Sequence, residues 1–152
     1  MQVPRPADFV VGGPVRQAGA VSSVDVVDQT FLAAPPELVV AEFATPERWH
    51  FLWPDLHLDV ITDRGAAGVR WTVTGALVGS MEIWLEPVLD GTVLHYFLRA
   101  DPVGRDGQPV PATPRRAAAQ TRVRQRAAKA IAFALKDRLE AGRAPGEPPH
   151  RP

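Results

Sequence analysis

Residues 31–39 read Phe31-Leu32-Ala33-Ala34-Pro35-Pro36-Glu37-Leu38-Val39, and the change of pattern inside this stretch decides the architecture. On its N-terminal side, Val24 to Leu32 is rich in Val, Thr and Phe, the composition of a β-strand. Two prolines end that strand. Proline lacks a backbone N–H and cannot extend a ladder, but its fixed φ suits the first turn of a helix. Glu37 then faces the positive end of that helix. The strand therefore hands over to a short helix reaching about Ala44. Thr45-Pro46-Glu47 repeats the device, with Thr45 as N-cap of a second short helix ending near Trp49–Leu52. Trp53-Pro54-Asp55 breaks it.

Downstream, four further strands are expected: Leu56 to Thr62, Gly68 to Gly75, Val78 to Pro87, and Thr92 to Ala100. Arg64-Gly65-Ala66-Ala67 links the first pair, Gly75 to Gly79 the next, and Asp90-Gly91 is a hairpin turn into the last. Thr113-Pro114 then caps a long helix from Arg115 to about Glu140, which Gly142 ends. Along it Val123, Ala127, Ile131, Leu135 and Leu139 recur every four residues, with Ala130 and Ala134 beside them. That stripe predicts packing against a sheet. The opposite side carries Arg122, Arg126, Lys129 and Lys136.

Proline marks where regular structure stops. Of 16 prolines, 11 fall within residues 1–20, 101–114 and 142–152. These stretches read as a loose N-terminal arm, a long Pro-rich surface loop and a disordered tail, leaving an ordered domain over 21–141. A chain of 152 residues with 45 % apolar and 22 % charged side chains fits one globular domain. It contains no cysteine, which excludes disulfides, thiolate catalysis and cysteine-ligated metal, and fits a reducing compartment. No run approaches the roughly 18 apolar residues of a membrane span. The N-terminal stretch has no continuous apolar region of the secretory kind, so a cytoplasmic protein is expected. Positive and negative charges balance overall but are segregated. Residues 113–141 hold eight basic and two acidic side chains; residues 21–101 hold four basic and twelve acidic ones.

The order of strand, two short helices, antiparallel strands and one long C-terminal helix resembles the START-related helix-grip superfamily. Within it, the chain resembles the polyketide cyclase/dehydrase-like (SRPBCC) branch common in actinobacteria. The resemblance is carried by residues 31–39, by Thr45-Pro46-Glu47-Arg48-Trp49 with Trp53-Pro54, and by Gly91-Thr92-Val93-Leu94. The closing Lys136-Asp137-Arg138-Leu139-Glu140 adds to it. It covers about residues 24–141. One departure is the count of five strands, where the family usually has six or seven. The resemblance implies an α+β fold: a curved antiparallel sheet of five to six strands wrapped on the long helix. It also implies a cavity between sheet and helix that binds lipids, polyketides or other apolar molecules. A minority of members are enzymes, so a polyketide cyclase or dehydratase is the alternative, and fold alone does not choose.

The residues offer several candidate sites. Trp49, Trp53 and Trp71 either line an apolar ligand site or are core. By resemblance, Leu94, Tyr96 and Leu98 point inward with Met81, Ile83 and Leu85, and Ile131 and Leu135 face them from the helix. Tyr96, the only tyrosine, would orient a ligand carbonyl or act as an acid, or else is a satisfied core residue. Gln29 is a second candidate inward polar group. The opposite face would carry Glu82, Trp84 and Glu86 with Val93, His95, Phe97 and Arg99. It is unusually aromatic for a solvated face, so the N-terminal arm or a second subunit covers it, or the faces are reversed. A homodimer through this face is one such arrangement. Asp55, His57 and Asp59 alternate along one strand face, which also describes an ordinary polar strand, and no metal is expected. No serine sits in a strand-to-helix elbow, and there is no phosphate loop or dinucleotide fingerprint, so no cofactor is expected. The basic helix lacks the interleaved aromatics of a single-strand nucleic-acid binder. A solvated face pairing with the acidic sheet region is the plainer account, and an interaction module using that helix is a further alternative.

Overall fold

A computed structural model describes residues 22–148. The proposed N-terminal arm, residues 1–20, and residues 149–152 of the tail lie outside the described residues. The elements run β1 (Val24–Leu32), α1 (Pro36–Ala41), α2 (Pro46–Leu52), β2 (Leu56–Asp63), β3 (Gly68–Gly75), β4 (Leu77–Val88), β5 (Gly91–Pro102) and α3 (Pro114–Leu139). The five strands form one antiparallel sheet in the order β1-β5-β4-β3-β2. With two short helices after β1 and the long helix α3 against β1, this is a helix-grip α+β fold.

The prolines and threonines act locally as expected. Pro36 opens α1, and the N–H groups of Leu38 and Val39 donate to the Pro35 carbonyl. Thr45 Oγ1 accepts from the Arg48 N–H, and Thr113 Oγ1 accepts from Arg116, each one turn into its helix. The turn that hands β1 to α1 is pinned to the sheet by buried Thr92, whose hydroxyl donates to the Ala34 carbonyl at 2.8 Å.

Three sequence expectations shift. The two-residue hairpin loop is Leu89-Asp90 and not Asp90-Gly91, because Val88 pairs with Gly91. Leu89 takes the positive φ of 54°. Gly91 serves a different need: a Cβ there would meet the Leu32 carbonyl oxygen and the Phe31 ring, both at 2.5 Å. Gly79 lies within β4 and not in a linker. A Cβ on it would fall 2.0 Å from the Arg99 carbonyl oxygen on β5. The Pro-rich segment is shorter than expected, since β5 runs on to Pro102 and a Val103–Pro109 bridge folds the next residues back on themselves.

The face of α3 also differs. Ala128, Ala132 and Leu135 are buried and Ile131 and Leu139 pack partly against the core, but Val123, Ala130 and Ala134 are exposed. A strict every-four row drifts around a helix by about 40° per step, so Val123 and Leu139 cannot share one buried face. Arg124 turns inward instead. Lys129 and Lys136, expected on the solvated side, reach β1. Lys129 Nζ contacts Asp28 Oδ1 at 2.9 Å, Thr30 Oγ1 at 3.1 Å and the Gln29 carbonyl at 3.3 Å. Lys136 Nζ donates to the Phe31 carbonyl at 3.1 Å. Glu42, after α1, accepts from Arg48 of α2 and from Arg138 of α3, joining three helices at one carboxylate.

Candidate functional site

The inner face of the sheet is set by register. Met81, Ile83 and Leu85 of β4 lie opposite Leu98, Tyr96 and Leu94 of β5, and all six are buried. This is the face assignment expected from sequence. Directly opposed residues of an antiparallel pair share a face. Tyr96 is opposite Asp28 on β1, and His95 is opposite Gln29. Gln29 is therefore on the outer face and exposed, correcting its expected inward placement; the inward polar residues of β1 are Asp28 and Thr30. Sequence could not separate the two faces, because β1 alternates apolar residues on both: Val24, Val26 and Leu32 on one, Val27 and Phe31 on the other.

A cleft opens between this face and α3, with a volume of about 260 Å³ including its mouth. Much of that volume is open to solvent, and the space between the walls holds no more than about one water molecule. Ile83, Leu94 and Tyr96 form its floor, Ala128, Ile131 and Ala132 of α3 its roof, and Phe43 and Trp53 one wall, with Asp28 at the side. The small alanines are what let α3 lie close enough to make a narrow slot. Of the residues singled out from sequence, Trp53, Ile83, Tyr96 and Ile131 meet here. Trp71, Met81, Leu98 and Leu135 are fully buried in the core and do not line the slot. Trp49 is half-buried, its indole donating to the Phe43 carbonyl at 2.6 Å. Phe43, Ala128, Ala132 and Asp28 were not singled out. Phe43 lies in the irregular turn between α1 and α2, and the alanines needed the correct helix face to be noticed.

An aromatic cluster backs the slot. Trp53 stacks on Tyr96 (centroids 6.3 Å, 9° between planes) and on Phe43 (6.2 Å), and tilts against Trp71 at 5.9 Å. Trp49 meets the edge of Trp71 at 5.6 Å. The Tyr96 hydroxyl donates to Met81 Sδ at 3.1 Å. Burial pushes the phenol well above its ordinary pKa, with the Arg124 charge and a hydrogen bond from Trp53 pulling the other way. Tyr96 therefore keeps its proton and serves as a hydrogen-bond donor.

Ion pairs tie α3 to the rest of the fold. Arg124 forms a bidentate pair with Asp55, Nη1 to Oδ1 at 3.0 Å and Nη2 to Oδ2 at 2.6 Å, tying α3 to the segment between α2 and β2. The Arg124 hydrogen bond and charge hold the Asp55 carboxyl below its ordinary value, although its partial burial opposes them. Asp28 receives Lys129 on Oδ1 and the Thr30 hydroxyl on Oδ2. Of the alternating trio in and before β2, Asp55 is held by Arg124, while His57 and Asp59 pair in solvent at 3.4 Å. Among the described residues, no group of three or more possible ligands is placed to hold a metal ion.

The outer face packs on itself. His95 is buried in a stack between Trp84 at 4.4 Å and Phe97 at 6.5 Å, and its Nε2 lies 2.8 Å from Glu86 Oε2. Glu82 is buried against Arg64. Val27 and Phe31 remain exposed at 51 % and 38 %. Among the described residues, no helix is long and apolar enough to cross a membrane.

No family model matches the chain, and no curated protein matches it. Solved structures do. The protein Ms6760 from Mycobacterium smegmatis aligns with a TM-score of 0.56 at 10 % identity, over 86 % of this chain and 100 % of that one. The Aha1 dimer from Colwellia psychrerythraea aligns with a TM-score of 0.53 at 16 % identity, over 80 % and 99 %. CalU16 from Micromonospora echinospora aligns with a TM-score of 0.52 at 10 % identity, over 76 % and 78 %. At these identities the likeness is one of fold alone.

Proposed function

We propose that this chain binds an apolar or amphipathic small molecule, of lipid or polyketide-like character, in the slot between the sheet and α3. The observation that carries the reading is an apolar slot whose walls offer only the Tyr96 hydroxyl and the Asp28 carboxylate as polar groups beside the Trp53 indole. The polyketide cyclase/dehydrase-like motifs of the sequence support it, and the cysteine-free composition supports a reducing, cytoplasmic setting. The slot is narrow, so on this reading a ligand enters by turning Trp53 and Phe43 outward. Rotamer changes of this kind are an ordinary part of binding.

The test is native mass spectrometry of freshly purified protein, with solvent extraction of anything carried along, repeated after incubation with butylbenzene and with a total lipid extract. A stoichiometric apolar passenger, native or added, is the expected result. A bare mass under all three conditions would overturn the reading.

The exposed Val27 and Phe31 beside the Trp84–His95–Phe97 stack favour a second reading, that two copies of the chain meet through their outer sheet faces. One of the proteins of similar fold is itself described as a dimer. Sedimentation at twice the monomer mass of 16.5 kDa is expected, reverting to the monomer in Phe31→Ser. A monomeric wild type would overturn this second reading and leave the first intact.

A further inference from the structure

We infer that the ligand of this slot presents a carbonyl oxygen to the protein, and that Trp71 and Tyr96 are the donors that receive it. The inference rests on the binding reading above and names the ligand chemistry that the reading leaves open.

The interior is rich in donors and poor in acceptors. Trp71 is fully buried, and its Nε1–H meets no acceptor among the described residues. Phenylalanine at this position would fill the same wall without an unmatched N–H, and buried polar groups are almost always paired. Tyr96 gives its proton to the Met81 thioether, a weak acceptor. Trp71 is directly opposed to Met81 across β3 and β4, and Met81 receives the Tyr96 hydroxyl, so both donor side chains belong to one neighbourhood of the inner sheet face. Trp71 lies behind Trp53, which also stacks on Tyr96, so a ligand that displaces the Trp53 ring from the slot wall would reach both donors. A third donor, Arg124 Nε–H, is also buried without an acceptor among the described residues, and its charge acts on Tyr96. The acceptor at the side of the slot is already engaged: one Asp28 oxygen is ion-paired with Lys129 and the other accepts from the Thr30 hydroxyl. A ligand bringing another hydroxyl or amine would add a donor where donors are in surplus. A carbonyl supplies two lone pairs where they are missing, and the phenol, held protonated, stays a donor throughout.

A matched pair of probes tests this: butyrophenone and butylbenzene, titrated by NMR on protein labelled at the indole nitrogens. The ketone is expected to bind at least about ten-fold tighter, the gain of about one buried hydrogen bond to a good acceptor. The Trp71 Nε1–H resonance, assigned by its loss in Trp71→Phe, is expected to move downfield with the ketone only. In Tyr96→Phe the ketone's advantage over butylbenzene, read as the ratio of the two affinities within the variant, should fall to about three-fold or less. Tyr96→Phe reads this even if Trp71→Phe does not fold, with the resonance then assigned through the sequence. Equal binding of the two probes, or an advantage that survives in Tyr96→Phe with a stationary Trp71 resonance, would overturn the inference and leave the binding reading standing. Binding of neither probe would overturn the binding reading and the inference with it.

Discussion

Asp55→Ala and Arg124→Met remove the same ion pair, but they leave different groups behind. The Arg124 side chain is 11 % exposed and that of Asp55 51 %. Removing the carboxylate leaves a guanidinium almost wholly out of water, with Nε, Nη1 and Nη2 all lacking the acceptors they need. Breaking a fully buried pair in this way costs about 3–5 kcal/mol, and with one partner half in solvent about 2–3 kcal/mol is expected for Asp55→Ala. Arg124→Met keeps most of the apolar stem and leaves a carboxylate that water can solvate, so about 0–1 kcal/mol is expected. The two variants should therefore differ by about 2 kcal/mol in urea unfolding followed by tryptophan fluorescence, at equal slope. Acidity adds a second check. The folded Asp55 carboxyl titrates below its ordinary value. A group lowered in this way stabilises the fold above its unfolded pKa and loses that contribution as pH falls through the folded one. The gap between wild type and Asp55→Ala should be flat above about pH 5 and narrow below about pH 4. Equal costs for the two substitutions, or a gap insensitive to acid, would refute this account of how α3 is tied to the segment before β2.

Other substitutions test other parts of the fold. Leu89 is 97 % exposed at positive φ, so Leu89→Gly should stabilise the chain by about 1 kcal/mol in thermal melts; a loss of stability would show that the Leu89 side chain is needed. Gly79→Ala would drive a Cβ into the β5 backbone and should cost about 3 kcal/mol or more, and a folded variant of wild-type stability would contradict the β4–β5 register. Gln29→Ala should change stability by less than about 0.5 kcal/mol, whereas Asp28→Ala should cost about 1–2 kcal/mol by releasing Lys129 and Thr30. The reverse order in chemical denaturation would put Gln29 back on the inner face.

Features set by local interactions were legible in the sequence. Strand-to-helix turns at Pro35-Pro36 and Thr45-Pro46 are governed by dihedral limits and caps within four residues, and they fell where expected. Strand identities came from alternation, and the inward faces of β4 and β5 came from the resemblance. The misplacements arose where a residue answers to a partner far along the chain. Gly79 and Gly91 are glycine because of the β5 carbonyl at Arg99 and the ring of Phe31, not because they turn the chain. Gln29 looked inward because both faces of β1 carry valines. Arg124 drew no notice because its partner, Asp55, is 69 residues away. The slot needed Phe43 and two alanines that carry no chemical signature, so the candidate site was legible in Trp53, Ile83, Tyr96 and Ile131 and not in the residues that narrow it.

The contacts from Lys129 and Lys136 to the carbonyls of Gln29 and Phe31 bear on how the chain avoids polymerising. β1 is one border of the sheet, and a bare border strand is a template on which another chain can add a strand. Two ammonium groups delivered by α3 occupy that template. The opposite border, β2, is interrupted by a shift of register between Val60 and Thr62 and carries His57, Asp59 and Asp63. Detachment of α3 would therefore do more than empty the slot. It would uncover β1 as a seeding surface, making the grip of the long helix a guard against fibrillar assembly as well as a wall for a ligand.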